Sequence, residues 1–393
     1  MDAPFKNVHK RFFLLQENRS HIFLPEKSGA LTENDVLMVP NLALISGIPN
    51  VKALGFIAEI GFKTILATTK PKEFHNLTAG QYTSGYNDKF MSLIEKIKWD
   101  FDSREVGILA PRHGIDKKSV TVFSGTKDLQ NIGKLYAINN KTKINIWKSD
   151  ECNKIAGSDG IINGPSQVQN KKDISVYLTN ICRTLPLVFD REMKITNGMR
   201  SYRYEAPYGA FSSPESYPEN KHYCELKSVN RKHIDGILEI SDCIDGTPPI
   251  IISHPHFMEG DEKLFEHFEG LKPNKNLHNS YVYLHPRLSV PLLGVSRMQL
   301  NLRVNQFSNY YKNLPDGLIL PLAWIETTTE DFPDKISLRL FLSTVVVDYA
   351  EILLKYGSLI SLLMSLIFVT VNQTCGVLGI KKFCRKLLHS SLI

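Results

Sequence analysis

Residues 250–257 read Ile-Ile-Ile-Ser-His-Pro-His-Phe, IIISHPHF, and the way this stretch ends decides the fold around it. Three β-branched residues in a row favour an extended strand. Were the strand to run on, His254 and His256 would leave the same face two residues apart, and a pair of neutral imidazoles suits zinc or copper. Pro255 argues against that. It has no N–H for a sheet ladder and biases His254 toward extended backbone, so the expected geometry is a strand that stops in a kinked, extended exit, with a metal between the rings kept as the alternative.

Outward from this stretch, short β-type runs recur at 120–123, 143–147, 201–205, 249–253, 280–284, 298–304 and 318–324, parted by Pro, Gly and Asn. The spacing predicts a largely antiparallel sheet or barrel. The N-terminal third reads differently, with helices predicted over 41–69 and 88–98. The first is apolar on almost every side, and Lys63, Lys70 and Lys72 sit at its end. A helix of that kind is packed all round or presents an apolar patch to a partner or to lipid. Helices and antiparallel strands in separate stretches make the class α+β.

A composition of 42% hydrophobic and 22% charged residues belongs to a globular chain of one to three domains. The net charge of +7 is spread along the chain and partly held in the last 13 residues, so it builds no nucleic-acid surface. Residues 356–380 form a run of 25 without a charge, flanked by Lys355 and by Lys381 and Lys382. At about 1.5 Å per residue such a helix crosses a hydrocarbon core of ~30 Å. Its basic flank makes 381–393 a cytosolic tail and leaves 1–350 lumenal or extracellular. Cys384, in that tail, is a candidate for palmitoylation.

On the oxidising side lie Cys152, Cys182, Cys224 and Cys243, which allow three pairings. Asn18-Arg-Ser, Asn76-Leu-Thr and Asn140-Lys-Thr are glycosylation sequons, whereas Asn372-Gln-Thr falls inside the span. The first 20 residues hold no apolar run long enough for a signal peptide. A lumenal large domain therefore requires a signal or span ahead of residue 1, and the chain reads as N-terminally incomplete.

There is no Walker loop, dinucleotide glycine fingerprint, GxSxG elbow or HExxH helix, which points away from an enzyme and from a cofactor. His222, His233, His254, His256, His267, His278 and His285 crowd into one stretch. A tail-anchored cytosolic metal hydrolase would need three of them to converge and would keep its thiols free. Most are expected to be surface or hydrogen-bonded residues.

Several motifs then fall in order: Cys152-Asn-Lys-Ile-Ala-Gly-Ser-Asp-Gly, Ile181-Cys182-Arg183, Tyr202-Arg203-Tyr204, and Gly236-Ile-Leu-Glu-Ile-Ser-Asp-Cys243. After them come Pro255-His256-Phe257, Glu269-Gly270-Leu271-Lys272-Pro273-Asn274 with His278, Arg297-Met-Gln299-Leu-Asn301, and Pro321-Leu-Ala-Trp324-Ile-Glu326. In content and spacing, over roughly residues 30 to 380, the chain resembles the class B scavenger receptor family. The resemblance implies an irregular antiparallel β-barrel ectodomain with a helical apex bundle at about 41–98, spans at both ends, and a hydrophobic tunnel that delivers lipid to the membrane. It implies the pairings Cys152–Cys224 and Cys182–Cys243, and it places Lys63, Lys70 and Lys72 in the ligand-receiving apex by region. The implied partners are lipids, fatty acids, sterol or lipoprotein particles, at the plasma membrane or the lysosomal membrane. Within the family the alternative is a trafficking receptor for a lumenal hydrolase. Two departures stand out: both members of a third disulfide are absent, and Tyr283-Leu-His285-Pro286 replaces an acidic Asp-x-Glu-Pro stretch, which bears on ligand preference rather than on fold.

Overall fold

The computed structural model describes residues 11–53, 55–87, 90, 92–93, 106–195, 198–218, 220, 224–230, 232–244, 248–306, 310–329 and 332–377, with backbone alone at 48–53 and 375–377. Most of the helix expected at 88–98, and all of the tail at 381–393 with Cys384, lie outside these residues. The chain forms two compact units, one of Met1–Glu192 with Ser201–Glu330, the other of Met193–Arg200 with Asp331–Ile393.

The first unit holds three small antiparallel sheets and one large one. Strands β1 (Phe12–Leu15), β2 (Asn18–Arg19), β3 (Val36–Pro40), β4 (Phe74–Thr78), β5 (Gly114–Ile115), β6 (Val120–Phe123) and β7 (Leu135–Ile138) pair as β1-β6-β7, β2-β5 and β3-β4. The large sheet takes β8 (Ile174–Leu178), β9 (Arg183–Lys194), β10 (Arg200–Glu205), β11 (Ile237–Glu239), β12 (Ile250–Ser253), β13 (Tyr281–Leu284), β14 (Pro291–Arg303) and β15 (Ile319–Thr328). Its order is β11-β12-β14-β13-β10-β9-β8, with β15 on β14. Strand β14 is the spine, long enough at 13 residues for its first half to meet β13 and its second half β12, while β15 runs along its other side. The path does not return on itself: among the described residues the expected barrel is an open mixed-length sheet, not a closed barrel.

The opening stretch ends as its proline dictates. Ile251, Ile252 and Ser253 pair with Asn301, Leu300 and Gln299 of β14. His254 is extended at φ −65°, ψ 154°, and a single 3-10 turn over Pro255–Phe257 follows in place of a longer extended exit. Inside that turn His256 and Phe257 take φ of 54° and 51°, a left-handed backbone that non-glycine residues rarely adopt and that neighbours must enforce.

One strand expected from sequence does not form. Residues 143–147 make only isolated bridges, to Lys154 and Leu226, because the Asn153 side chain takes the backbone donors. Its Oδ1 accepts from the N–H groups of Ile146 and Trp147, and its Nδ2 donates to the carbonyls of Trp147 and Ser149. An asparagine with no exposure, bonded in this way, offers the backbone an alternative to a ladder. Trp147, also fully buried, donates its Nε1 to the Cys182 carbonyl at 2.8 Å.

The predicted helix 41–69 is two helices, α1 (Leu42–Ala53) and α2 (Phe56–Thr69). The break falls at Gly55, whose φ of 88° no side chain tolerates well. Asn41 starts α1 by accepting the Leu44 N–H, and Lys70 ends α2 in a left-handed cap. A short helix, α3 (Ala79–Ser84), opens with a Thr78–Gln81 capping box. Among the described residues α1 and α2 pack together with Tyr82 of α3 and Phe90 in one apolar cluster, which does not by itself make the expected apex bundle. In the second unit α4 (Asp334–Phe341) passes through a π turn at Leu342–Val346 into α5 (Val347–Val377). Over Asp334–Thr374 this is one helix of 41 residues, long and apolar enough to cross a membrane.

Candidate ligand-binding site

Helix α2 carries two faces of opposite fate. Phe62 and Leu66 are buried in a cluster with Leu44, Ile45, Tyr82, Leu302, Val304 and Tyr311, which ties the helices to the ends of β14 and β15. Phe56, Ile57 and Ile60, on the turn before, are 77%, 86% and 50% exposed. Positions 56, 60 and 63 share a face at helical spacing, so the apolar end of α2 grades into Lys63.

The loop beyond α2 is fixed rather than slack. The Asn41 N–H donates to the Glu73 carbonyl and the Asn41 Nδ2 to the Lys72 carbonyl. Tyr310 donates its hydroxyl to the Pro71 carbonyl at 2.9 Å, and the Lys312 N–H donates to the Glu73 carboxylate at 2.8 Å. Lys63, Lys70 and Lys72 are all exposed, and Lys70 lies where a cation favours the negative end of the α2 dipole. Lys63 therefore stands one turn from an uncovered apolar patch, while Lys70 and Lys72 lie at the opposite end of α2 on a loop held by its backbone. Sequence alone gave the lysines but not the patch, since an evenly apolar helix does not disclose which side its neighbours cover.

A cavity of about 260 Å³ lies between Ile234, Leu264, Phe268, Leu318 and Ile319, with Lys263 and His267 at its rim. That is below the ~300–1,000 Å³ of a typical small-molecule site, enough for the end of an acyl chain.

The four cysteines pair as Cys152–Cys224 and Cys182–Cys243, each with Cα atoms 5.8 Å apart. The two loops interleave. Both disulfides lie in one apolar cluster with Trp147, Ile181, Phe211, Leu226, Leu238 and Ile252. Gly157 shows why its motif needs glycine: φ is 92°, and a Cβ there would stand 2.3 Å from the Ser175 carbonyl oxygen. Gly236 likewise faces the backbone of Gly260, which a Cβ would approach to 2.2 Å.

The two histidines of the opening stretch part company. His254 is 6% exposed, against the Phe211 ring, and its Nδ1 has no hydrogen-bond partner. Burial lowers its pKa to about 4, so it is neutral at physiological pH. Glu259 lies 4.0 Å away, beyond hydrogen-bond reach, and burial raises its pKa although the Gly209 N–H donates to it. His256 instead stacks on His278 at 4.4 Å. His285, where the resemblance expects an acidic residue nearby, is 1% exposed and accepts from the N–H groups of Arg287 and Leu288. His222 lies outside the described residues, and among those described no three of His, Cys, Asp and Glu come together around a metal. The four cysteines that the hydrolase reading needs as free thiols are paired.

The sequon residues Asn18, Asn76 and Asn140 are each exposed, Asn140 at a hairpin turn with φ of 62°. All three are open to modification.

The family model described as CD36 family matches residues 7–371. Among curated proteins, scavenger receptor class B member 1 of Bos taurus is 28% identical over 95% of this chain and 72% of its own length. Lysosome membrane protein 2 of Mus musculus is 27% identical over 75% of this chain and 59% of its own. Sensory neuron membrane protein 1 of Bombyx mori is 30% identical over 63% of this chain and 46% of its own.

Proposed function

This chain belongs to the CD36 family, and from that premise we propose that it is a membrane-anchored receptor that captures lipid or lipoprotein-like ligands at the exposed end of α2 and passes lipid toward the membrane. It is a membrane receptor and not an enzyme, of the plasma or lysosomal membrane, like the relatives it matches. In this reading 1–350 form the lumenal or extracellular part, an irregular barrel completed with a helical apex, 356–380 cross the bilayer and 381–393 face the cytosol. Asn18, Asn76 and Asn140 then carry glycans, and Cys384 carries an acyl chain.

The observation that carries the reading is the uncovered Phe56–Ile57–Ile60 patch with Lys63 one turn away and Lys70 and Lys72 exposed at the far end of the same helix. An apolar patch with a cation one turn away, on a helix that ends in two more, matches an amphipathic anion. Charge draws the headgroup over a Debye length of ~8 Å at physiological salt, and each methylene taken from water contributes ~0.8 kcal/mol. No observation favours carriage of a lumenal hydrolase.

The test uses the full chain in lipid nanodiscs, with anionic phosphatidylserine vesicles and a fluorescent sterol as probes. The variant Lys63→Ala/Lys70→Ala/Lys72→Ala is expected to weaken vesicle capture about tenfold at low salt and to leave sterol binding unchanged. A wild-type chain that binds neither probe sinks the reading.

A further inference from the structure

The stacked His256–His278 pair supports an inference that does not depend on the lipid reading. The rings are 4.4 Å apart and within 4° of parallel. They stand 22 residues apart, and each Nδ1 accepts a backbone N–H of the exposed loop between them: His256 from Lys272 at 3.2 Å, His278 from Asn274 at 3.1 Å. An Nδ1 that accepts carries no proton, so both rings are neutral with the hydrogen on Nε2. Protonation would set donor against donor at both bonds and stack two cations.

The pair is held firmly from beneath. The His256 N–H donates to Gln299 Oε1 at 2.7 Å, Gln299 Nε2 to Asn301 Oδ1, and Asn301 Nδ2 to Ser253 Oγ, a buried relay under the turn. The strained φ of 54° at His256 is thereby fixed, and the ring is aimed at the loop. The loop itself has less to hold it. Upstream, Leu264, Phe265, Phe268 and Leu271 pack against Ile237, Ile251, Phe257 and Ile319, and the same stretch walls the 260 Å³ cavity. Past Leu271 the loop is exposed, and Pro273 has no N–H to contribute.

The charges around His278 work against its protonation. Arg297 of β14, held by Glu326 of β15, lies on one side; Lys272 and Lys275 lie on the loop, Lys275 paired with Glu205 of β10. Burial, then His256, then Arg297 lower the pKa of His278.

We propose that His256 and His278 form a proton-operated latch: the neutral stack holds residues 271–274 down, and acidification releases that loop and loosens the adjoining wall of the cavity.

Hydrogen exchange of the full chain in nanodiscs at pH 7.4 and pH 5.0, corrected for intrinsic rates, reads the latch directly. Protection of peptides covering 265–278 is expected to fall about tenfold or more in acid, while peptides around Trp147 hold. In His256→Asn/His278→Asn the amide oxygen replaces the acceptor, does not titrate and tolerates the left-handed backbone, so protection should be the same at both values. Equal protection in the wild type, or an acid-induced fall that persists in the variant, overturns the proposal. If the variant misfolds, the wild type still decides: imidazole C2 exchange gives each ring's midpoint, and loosening at a pH that matches neither also overturns it.

Discussion

Around Trp147 the chain closes apolar side chains over two disulfides and bonds the buried Asn153 four times, whereas α2 buries Phe62 and Leu66 and leaves Phe56, Ile57 and Ile60 in solvent. The residue types are alike in both places. What differs is whether neighbours supply a second wall. Where both walls exist, the residues carry stability, and changing them should cost folding; where one is missing, they are free to meet a ligand, and changing them should cost binding alone.

Four measurements break or sharpen this contrast. The largest effect belongs to the disulfides: Cys182→Ser/Cys243→Ser should lose about 2–5 kcal/mol in denaturant unfolding, since each bridge closes a long loop. Unchanged stability would mean that the cluster around Trp147 stands without its bridges. Next comes Gly157→Ala, expected to cost about 2–3 kcal/mol because left-handed strain adds to a contact with the Ser175 carbonyl oxygen at 2.3 Å.

The third is the pH dependence from His254, which lies beside Phe211 at the margin of the same cluster. Its folded pKa of about 4 stands below the ordinary 6.5, so the unfolded chain takes the proton first. The contribution is complete above pH 6.5 and is lost as pH falls toward 4. Between pH 7 and pH 5 that amounts to about 2 kcal/mol. The variant His254→Leu should show a correspondingly flatter stability profile, and an identical slope would place the acid sensitivity elsewhere. Smallest is Ile57→Ser on α2, expected to move stability by less than ~0.5 kcal/mol while reducing capture of lipid vesicles. A loss of 2 kcal/mol or more would show that Ile57 is covered after all.

The strands that sequence reading found were those with a period and a terminator: Ile250 to Ser253 stopped by Pro255, and the runs that became β10, β13, β14 and β15. It missed where a side chain outbid the ladder, as Asn153 does at 143–147, because that competition depends on a residue six or seven positions away folding back. It merged α1 and α2, since Gly55 inside an apolar run looks like a tolerable helix residue until its φ is known. The charged half of the candidate site was legible as lysines; its apolar half was not, because exposure is a property of neighbours. The question posed at His254 and His256 was framed along the chain, yet the partner of His256 is His278, which no local spacing could indicate.

The interleaving of the two bridges has a consequence for how the molecule is made. If residues 1–350 are lumenal, as proposed, Cys152 enters an oxidising compartment first, and the next thiol to follow, about 30 residues and a few seconds later at ~5–20 residues per second, is Cys182, its wrong partner. The correct partner, Cys224, arrives only after a further stretch of about 42 residues has been translocated. Throughout that interval the one pairing open within the chain is non-native, and it must later be undone by thiol exchange before Cys182 can reach Cys243. On that reading, any Cys152–Cys182 bond formed in the interval makes export of this protein depend on isomerase capacity.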